Sequence, residues 1–427
     1  MMEYNTYTLD SGLRAIHLPS DANVIYCGIA VKAGTRHELP GQEGLAHFCE
    51  HLAFKGTSRR SAVQIINALE GVGGELNAFT NKEDTVYYCA ILRDHFRKAV
   101  DVLCDIVFHS THPQAEVEKE REVVCDEIES YEDSPAELIY DDLENLLFDG
   151  HPLGHNILGT CQQLRGYNHD DTQHFLHQHY RPDNCVFFAS GNIDFHQLVR
   201  LLQLKVEGSE LRFQSLEMRD VSPSATRLKS LNTQLSTLTP QLSTLNNTVV
   251  RHRGTHQAHV MMGALAYPAD DPRRWPLYLL NNILGGPGLN SRLNLALRER
   301  NGLVYTVESS MACFSDTGIW SVYFGCDPQD VDCCRHLVRR ELNRLIEKPL
   351  TDAQLRNAKR QLQGQLAIAS DNREQFALDF AKNYLHSGKL RDLSDIMRHI
   401  DALTPASLQQ TAQELMAEEH LTTLIYR

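Results

Sequence analysis

The run Gly44-Leu45-Ala46-His47-Phe48-Cys49-Glu50-His51-Leu52-Ala53-Phe54 is apolar enough to form a buried helix, yet it carries two histidines and a glutamate. Positions four apart share a helix face, so the rings of His47 and His51 point the same way with ~6 Å between their stems. That spacing suits a small tetrahedral cation. Zinc takes neutral imidazole nitrogens at ~2.0–2.1 Å, and a catalytic zinc keeps three protein ligands and an open position for water. Glu50 follows His47 by three residues and precedes His51 by one, which puts its carboxylate on the same face, within reach of such a water without being a ligand. Cys49 lies roughly 160 to 200 degrees around the helix from both rings, at about 100 degrees per residue, and reads as a small core residue. A plainer alternative stays open on this motif alone: two buried histidines satisfied by backbone carbonyls.

The order is that of the zinc-peptidase pattern His-Glu-x-x-His read backwards, the inverzincin motif. Zinc lowers the pKa of its water to ~7 and polarises a carbonyl, while a glutamate takes the proton and later returns it to a leaving amine. A third ligand is available on the charged helix expected from Pro113 to Asp133, where Glu120 and Glu127 lie seven residues apart on one face. His47-x-x-Glu50-His51, with Glu127 76 residues after the second histidine and Glu120 seven before it, resembles the pitrilysin and mitochondrial processing peptidase family in its two-domain bacterial form. The resemblance implies that Glu127 completes the zinc site and that Glu120 supports it from behind, as outer carboxylates hold a metal-bound imidazole in its tautomer. Glu118, Glu122, Asp126 and Glu129 read as solvated acids of the same helix.

At 427 residues the chain exceeds one ordinary core, and two domains of about 200 residues are expected. Acidic residues outnumber basic ones, 55 to 41, so there is no basic footprint for nucleic acid. No apolar run reaches the ~18 residues of a membrane helix. The start, Met1 to Asp10, has no basic segment followed by an apolar stretch, and the 11 cysteines show no Cys-x-x-Cys spacing. A reduced, cytoplasmic protein with buried thiols is the expectation.

Short alternating runs over residues 5 to 33 read as antiparallel strands, and a further helix is expected from Ala62 to Leu69. Glu75 to Thr85 then leads into a strand from Val86 to Leu92. Its Asn-Ala-Phe-Thr piece resembles the family's edge strand, on which an extended substrate lies as one more strand, so the resemblance places Asn77, Ala78 and Phe79 at the cleft. For Phe79 taken alone, an ordinary core position is the alternative. Helices follow at Asp94 to His109, Gln114 to Tyr131 and Pro135 to Phe148, and His151 and His155 read as loop residues because Pro152 and Gly154 separate them.

Between residues 206 and 247 a Ser/Thr-rich tandem repeat, Asn232 to Leu238 and Thr239 to Leu245, places leucines at heptad intervals. Two copies interrupted by Pro240 fall short of a coiled coil, so the segment reads as a flexible linker. The organisation expected is a zinc-binding domain over 1–205, this linker, and a metal-free repeat domain over 248–427. The fold class is α+β, two homologous domains, each a largely antiparallel sheet with helices packed on one face.

In the second half, Leu284-Gly285-Gly286-Pro287-Gly288 and the segment from Arg298 to Tyr305 resemble the family's glycine-rich turn and its Arg-to-Tyr segment. The resemblance implies that Arg298 and Tyr305 bind substrate and steady the carbonyl oxygen as it gains charge, where one such donor is worth ~2.7–4 kcal/mol. The function implied is that of a zinc metalloendopeptidase acting on unfolded or short peptides. The alternatives are a catalytically silent, peptide-holding core subunit and a peptidase dedicated to one precursor. In the family the Arg/Tyr-bearing domain faces the zinc domain across a four-domain clamshell, so a two-domain chain implies a homodimer, or a heterodimer with a related subunit.

Overall fold

The computed structural model describes residues 4–208, 248–389 and 393–427. The tandem repeat between Asn232 and Leu245 lies outside the described residues.

The first half builds a six-stranded sheet from β1 (Asn5–Thr8), β2 (Arg14–Pro19), β3 (Val24–Val31), β4 (Glu75–Thr80), β5 (Thr85–Leu92) and β6 (Cys185–Gly191). The strand order is β1-β2-β6-β3-β5-β4, antiparallel except for the parallel pair β2–β6. Its helices are α1 (Leu45–Ala53), α2 (Ala62–Glu70), α3 (Phe96–Phe108), α4 (Gln114–Glu132), α5 (Pro135–Leu147), α6 (Cys161–Leu164), α7 (His169–His179) and α8 (Phe195–Leu202). A helical turn, Gln203–Glu207, prolongs α8, because Val206 buries its side chain in the first core.

The second half repeats the plan with β7 (Thr248–Arg251), β8 (Ala258–Ala266), β9 (Val304–Cys313), β10 (Gly318–Cys326) and β11 (Thr422–Tyr426), ordered β7-β11-β8-β10-β9. Again one pair, β11–β7, is parallel. Helices α9 (Arg274–Gly285), α10 (Val331–Glu347), α11 (Asp352–Ala369), α12 (Arg373–Ser387), α13 (Leu393–Asp401) and α14 (Pro405–Leu415) belong to this half. Among the described residues no helix is long and apolar enough to cross a membrane.

Each sheet packs most of its own helices on one face, which buries the apolar stripe of α1 and α3 under the first sheet. The other face is covered by a helix from the opposite half. Ala377, Leu378, Phe380, Ala381 and Leu385 of α12 lie on Ile16, Ala30, Val86, Val186 and Phe188 of the first sheet. In return Leu138, Ile139 and Leu143 of α5 lie on Met261, Ile319, Tyr323, Leu424 and Tyr426 of the second. A strand buried on both faces has no polar face to show, which is why every residue of β10 is buried. Polar contacts seal the exchange: Arg36 pairs with Asp316, Ser315 Oγ donates to Glu83 at 2.6 Å, and His386 meets Asp84 at 2.8 Å.

Candidate metal centre

Helix α1 starts at Gly44, whose φ of 89° and close approach to Leu158 O, 2.5 Å from where a Cβ would stand, exclude other residues. With no side-chain cap on Gly44, the helix start is held from a distance. The buried Glu38 carboxylate accepts the amide of Gly44 at 3.0 Å, the amide of Ala46 at 2.7 Å and His155 Nε2 at 2.9 Å. Burial nevertheless raises the pKa of Glu38 above the usual carboxylate range, because desolvation outweighs those donors. His155 is thus a loop residue with a structural contact.

One helical turn apart, the rings of His47 and His51 stand 4.6 Å from each other, centroid to centroid. Helix α4 crosses this face and supplies both glutamates singled out above. Glu127 presents Oε1 to His47 Nε2 at 3.8 Å and Oε2 to His51 Nε2 at 3.4 Å. Glu120, seven residues earlier and buried, accepts from His51 Nδ1 at 3.0 Å and pairs with Lys55 Nζ at 2.7 Å. His47, His51 and Glu127 each offer a ligand atom within 4.8 Å of the others, and among the described residues this is the group with that property.

The donor set fits a small divalent ion. His51 gives its Nδ1 proton to Glu120, and its other nitrogen faces a carboxylate oxygen of Glu127 at 3.4 Å. Such a facing pair needs either a proton or a cation between the two atoms. A tetrahedral zinc with ligands at ~2.0–2.1 Å would separate adjacent ligand atoms by ~3.3 Å, close to the 3.4 and 3.8 Å seen here. His47 Nδ1 is buried without a partner, so that ring gains only through its Nε2 side. The electrostatics of the bare protein follow from the same contacts. Burial, then the neighbouring His51, lowers His47 to about 4. Burial alone would lower His51 as well, but the carboxylates of Glu120 and Glu127 more than offset it and raise the ring to about 9. Glu127 is lowered, chiefly by its bond to His51.

Glu50, between the two histidines in sequence on α1, is buried, with Oε2 accepting from Thr80 Oγ1 at 2.7 Å. Burial raises its pKa. Thr80 ends β4, which forms the free edge of the first sheet. Along this strand Leu76 and Ala78 pack toward the α1 side, and Thr80 reaches Glu50 on that side. Asn77 is exposed, and Phe79 turns the other way, where it packs with Tyr88 and lies under Lys382 of α12. The side chain of Phe79 therefore fills the contact between halves.

Arg298 and Tyr305 come together elsewhere. The guanidinium of Arg298 sits 5.3 Å from the centroid of the Tyr305 ring, and Tyr305, on edge strand β9, is 80% exposed. Both line a cavity of about 620 Å³ walled by the turn Gly285 to Leu289 and by Asn282, Ser291 and Asn294. Among the described residues no hydrogen bond, ion pair or ring contact joins Arg298 or Tyr305 to the His/Glu cluster.

Three residues here escaped the sequence reading. Thr80 closes the Asn-Ala-Phe-Thr string, and strand alternation already sets it on the face of Ala78; Lys55 stands four positions after His51, just past the end of α1; Glu38 had no local signal.

Comparison with known proteins shows the relatives of this chain. The family described as insulinase, peptidase family M16, matches residues 16–161, and the M16 inactive domain matches residues 167–362. An uncharacterised zinc protease of Bacillus subtilis, YmxG, is 32% identical over 421 residues, 98% of this chain and 97% of that protein. A similarly described zinc protease of Streptomyces coelicolor is 33% identical, covering 98% of this chain and 88% of its own length. In fold, a protease from Helicobacter pylori superposes along the whole of both chains with a TM-score of 0.88 at 22% identity. With relatives of this identity along nearly its full length, and the two M16 domain descriptions matching one after the other along it, the chain belongs to peptidase family M16.

Proposed function

We propose that this protein is a zinc metalloendopeptidase that hydrolyses peptide bonds in unfolded or short peptides. The observation that carries the reading is the convergence of His47, His51 and Glu127 on one point with Glu50 beside them. His47, His51 and Glu127 would hold zinc, which when bound acidifies water and polarises the scissile carbonyl. Glu50 takes the proton of the attacking water and delivers it to the leaving amine, a role suited to a buried carboxylate whose pKa desolvation raises. Glu120 fixes the tautomer of His51. The free edge of β4 receives the substrate as an added strand, which binds main chain and leaves sequence choice loose.

Arg298 and Tyr305 have the chemistry to clamp the substrate carbonyl, and their separation from the cluster within one chain supports completion in trans by a second copy or a related subunit. The free thiols, most of them buried, support a reducing, cytoplasmic setting.

Metal analysis together with hydrolysis of a peptide library, wild type against Glu50→Gln, tests the reading. Stoichiometric zinc in both and cleavage by the wild type alone is expected. Zinc without cleavage, alone or with a companion chain, would favour a peptide-holding subunit. Mixing Glu50→Gln with Arg298→Ala chains should restore activity, and no rescue would count against sharing of sites.

A further inference from the structure

The base of this site is tied to the substrate platform through one hydroxyl. Glu50 is on α1 and Thr80 on β4, 30 residues apart, and Thr80 Oγ1 donates to Glu50 Oε2 at 2.7 Å with both side chains buried. A carboxylate has two oxygens, and a buried one free to spin about its terminal torsion presents neither reliably. We propose that Thr80 is a positioning residue for Glu50: it claims Oε2 and so leaves Oε1 as the oxygen that works on the attacking water. This rests on the peptidase reading above.

The hydroxyl itself is held on every side. Thr80 pairs with Thr85 across the β4–β5 hairpin, and Thr85 Oγ1 stands 3.3 Å from Thr80 Oγ1 while donating to Ala33 O at 2.9 Å. The turn between the strands is fixed by Asn81 N to Asp84 O at 2.7 Å and by Asn81 Nδ2 to Asp84 Oδ1 at 2.8 Å. Asp84 is in turn gripped by His386 of α12 at 2.8 Å. Thr85 Oγ1 also gives the Thr80 proton a second acceptor, so no hydroxyl of the chain is stranded if Glu50 itself becomes the donor at Oε2. Because Thr80 ends the strand whose free edge would take the peptide, the register of a bound substrate and the aim of the base are set by the same few residues.

The test uses full-length Thr80→Val, which keeps shape and loses the hydroxyl, and Thr80→Ser, which keeps it. Zinc content, kcat and KM on a quenched fluorescent peptide, and the crystal structure of each metal-free variant are measured. For Thr80→Val, zinc content and KM should stay near wild type while kcat falls roughly 10- to 100-fold, the scale of a misplaced reacting group. Thr80→Ser should recover most of kcat. The crystal structure of Thr80→Val should show the Glu50 carboxylate rotated away from its wild-type position. A kcat for Thr80→Val within twofold of wild type, a Thr80→Ser enzyme as impaired as the valine variant, or an unmoved Glu50 carboxylate would overturn the proposal. A wild-type enzyme that cuts nothing would defeat the peptidase reading instead, and the position of Glu50 in the variant structures would still decide whether Thr80 holds it.

Discussion

Replacing Glu120 by alanine takes away the acceptor of His51 Nδ1 at 3.0 Å and the partner of Lys55 Nζ at 2.7 Å, while leaving untouched every atom that faces the ion position. In the intact fold that carboxylate is 5% exposed, so the protein and not solvent fixes which nitrogen of His51 carries the proton. Once the acceptor is gone, the ring is free to turn and to place its proton on Nε2, the atom set against Glu127. Loss of such outer carboxylates lowers metal affinity about 10- to 100-fold. At 1.36 kcal/mol per tenfold, that is about 1.4–2.7 kcal/mol. Glutamine should fall between, because its carbonyl still accepts from His51 while its amide group turns hydrogens toward Lys55. Competition against a chromophoric zinc chelator at neutral pH reads the affinities directly, and Glu127→Ala sets the scale for losing a ligand outright. Two outcomes refute the reasoning: Glu120→Ala binding zinc within twofold of wild type, or binding it as poorly as Glu127→Ala.

Three further changes probe the scaffold. Glu38→Ala leaves the amides of Gly44 and Ala46 and the ring of His155 without an acceptor, and should cost about 2–4 kcal/mol of stability by chemical denaturation; a loss below about 1 kcal/mol would remove Glu38 as the anchor of α1. His112 is fully buried at a positive φ of 41°, with neither ring nitrogen bonded, and burial lowers its pKa to about 3. Its stabilising contribution is present above the unfolded value of 6.5 and is lost as pH falls toward 3, about 3 kcal/mol of it by pH 4. His112→Asn should therefore melt with a shallower acid slope than wild type between pH 6.5 and 4, and equal slopes would contradict this. Leu385→Ala, at a site 2% exposed where α12 meets the first sheet, should destabilise by about 2–5 kcal/mol in calorimetry with zinc affinity unchanged; an unshifted melt would mean that α12 is not clamped there.

What could be read from the chain depended on how far apart the interacting residues lie. His47, Glu50 and His51 are bound by helical periodicity within one turn and a half, so their common face was legible from spacing. Glu127 was not legible in the same way. Helix α4 carries acids on every side, and only its crossing over α1 distinguishes Glu120 and Glu127 from Glu118 or Glu122, which is why family resemblance was needed to choose them. Phe79 shows a local rule left unused: alternation along β4 opposes it to Thr80, so a strand that aims Thr80 at α1 must aim Phe79 at α12. Glu38 caps α1 from outside the helix through a turn that no short pattern announces. The exchange of α5 and α12 was equally out of reach, since an amphipathic helix declares that it has an apolar face and not which sheet will cover it.

That exchange separates what the fold needs from what the chemistry needs. Without α12 the first sheet would expose Ile16, Val86 and Phe188, and without α5 the second would expose Met261 and Tyr323, so neither half covers its own sheet. The structural partnership is thus complete inside one chain. The candidate functional groups are not joined in the same way. His47, His51, Glu127 and Glu50 all sit on the first half, buried or bonded to neighbours, whereas Tyr305 is 80% exposed and, among the described residues, Arg298 finds an ion-pair partner in Glu299 at 3.9 Å and a ring in Tyr305. An exposed phenol and a loosely paired guanidinium gain little from their own fold. Both groups are thus left open to the cavity they line, as the proposed sharing of sites between two chains requires.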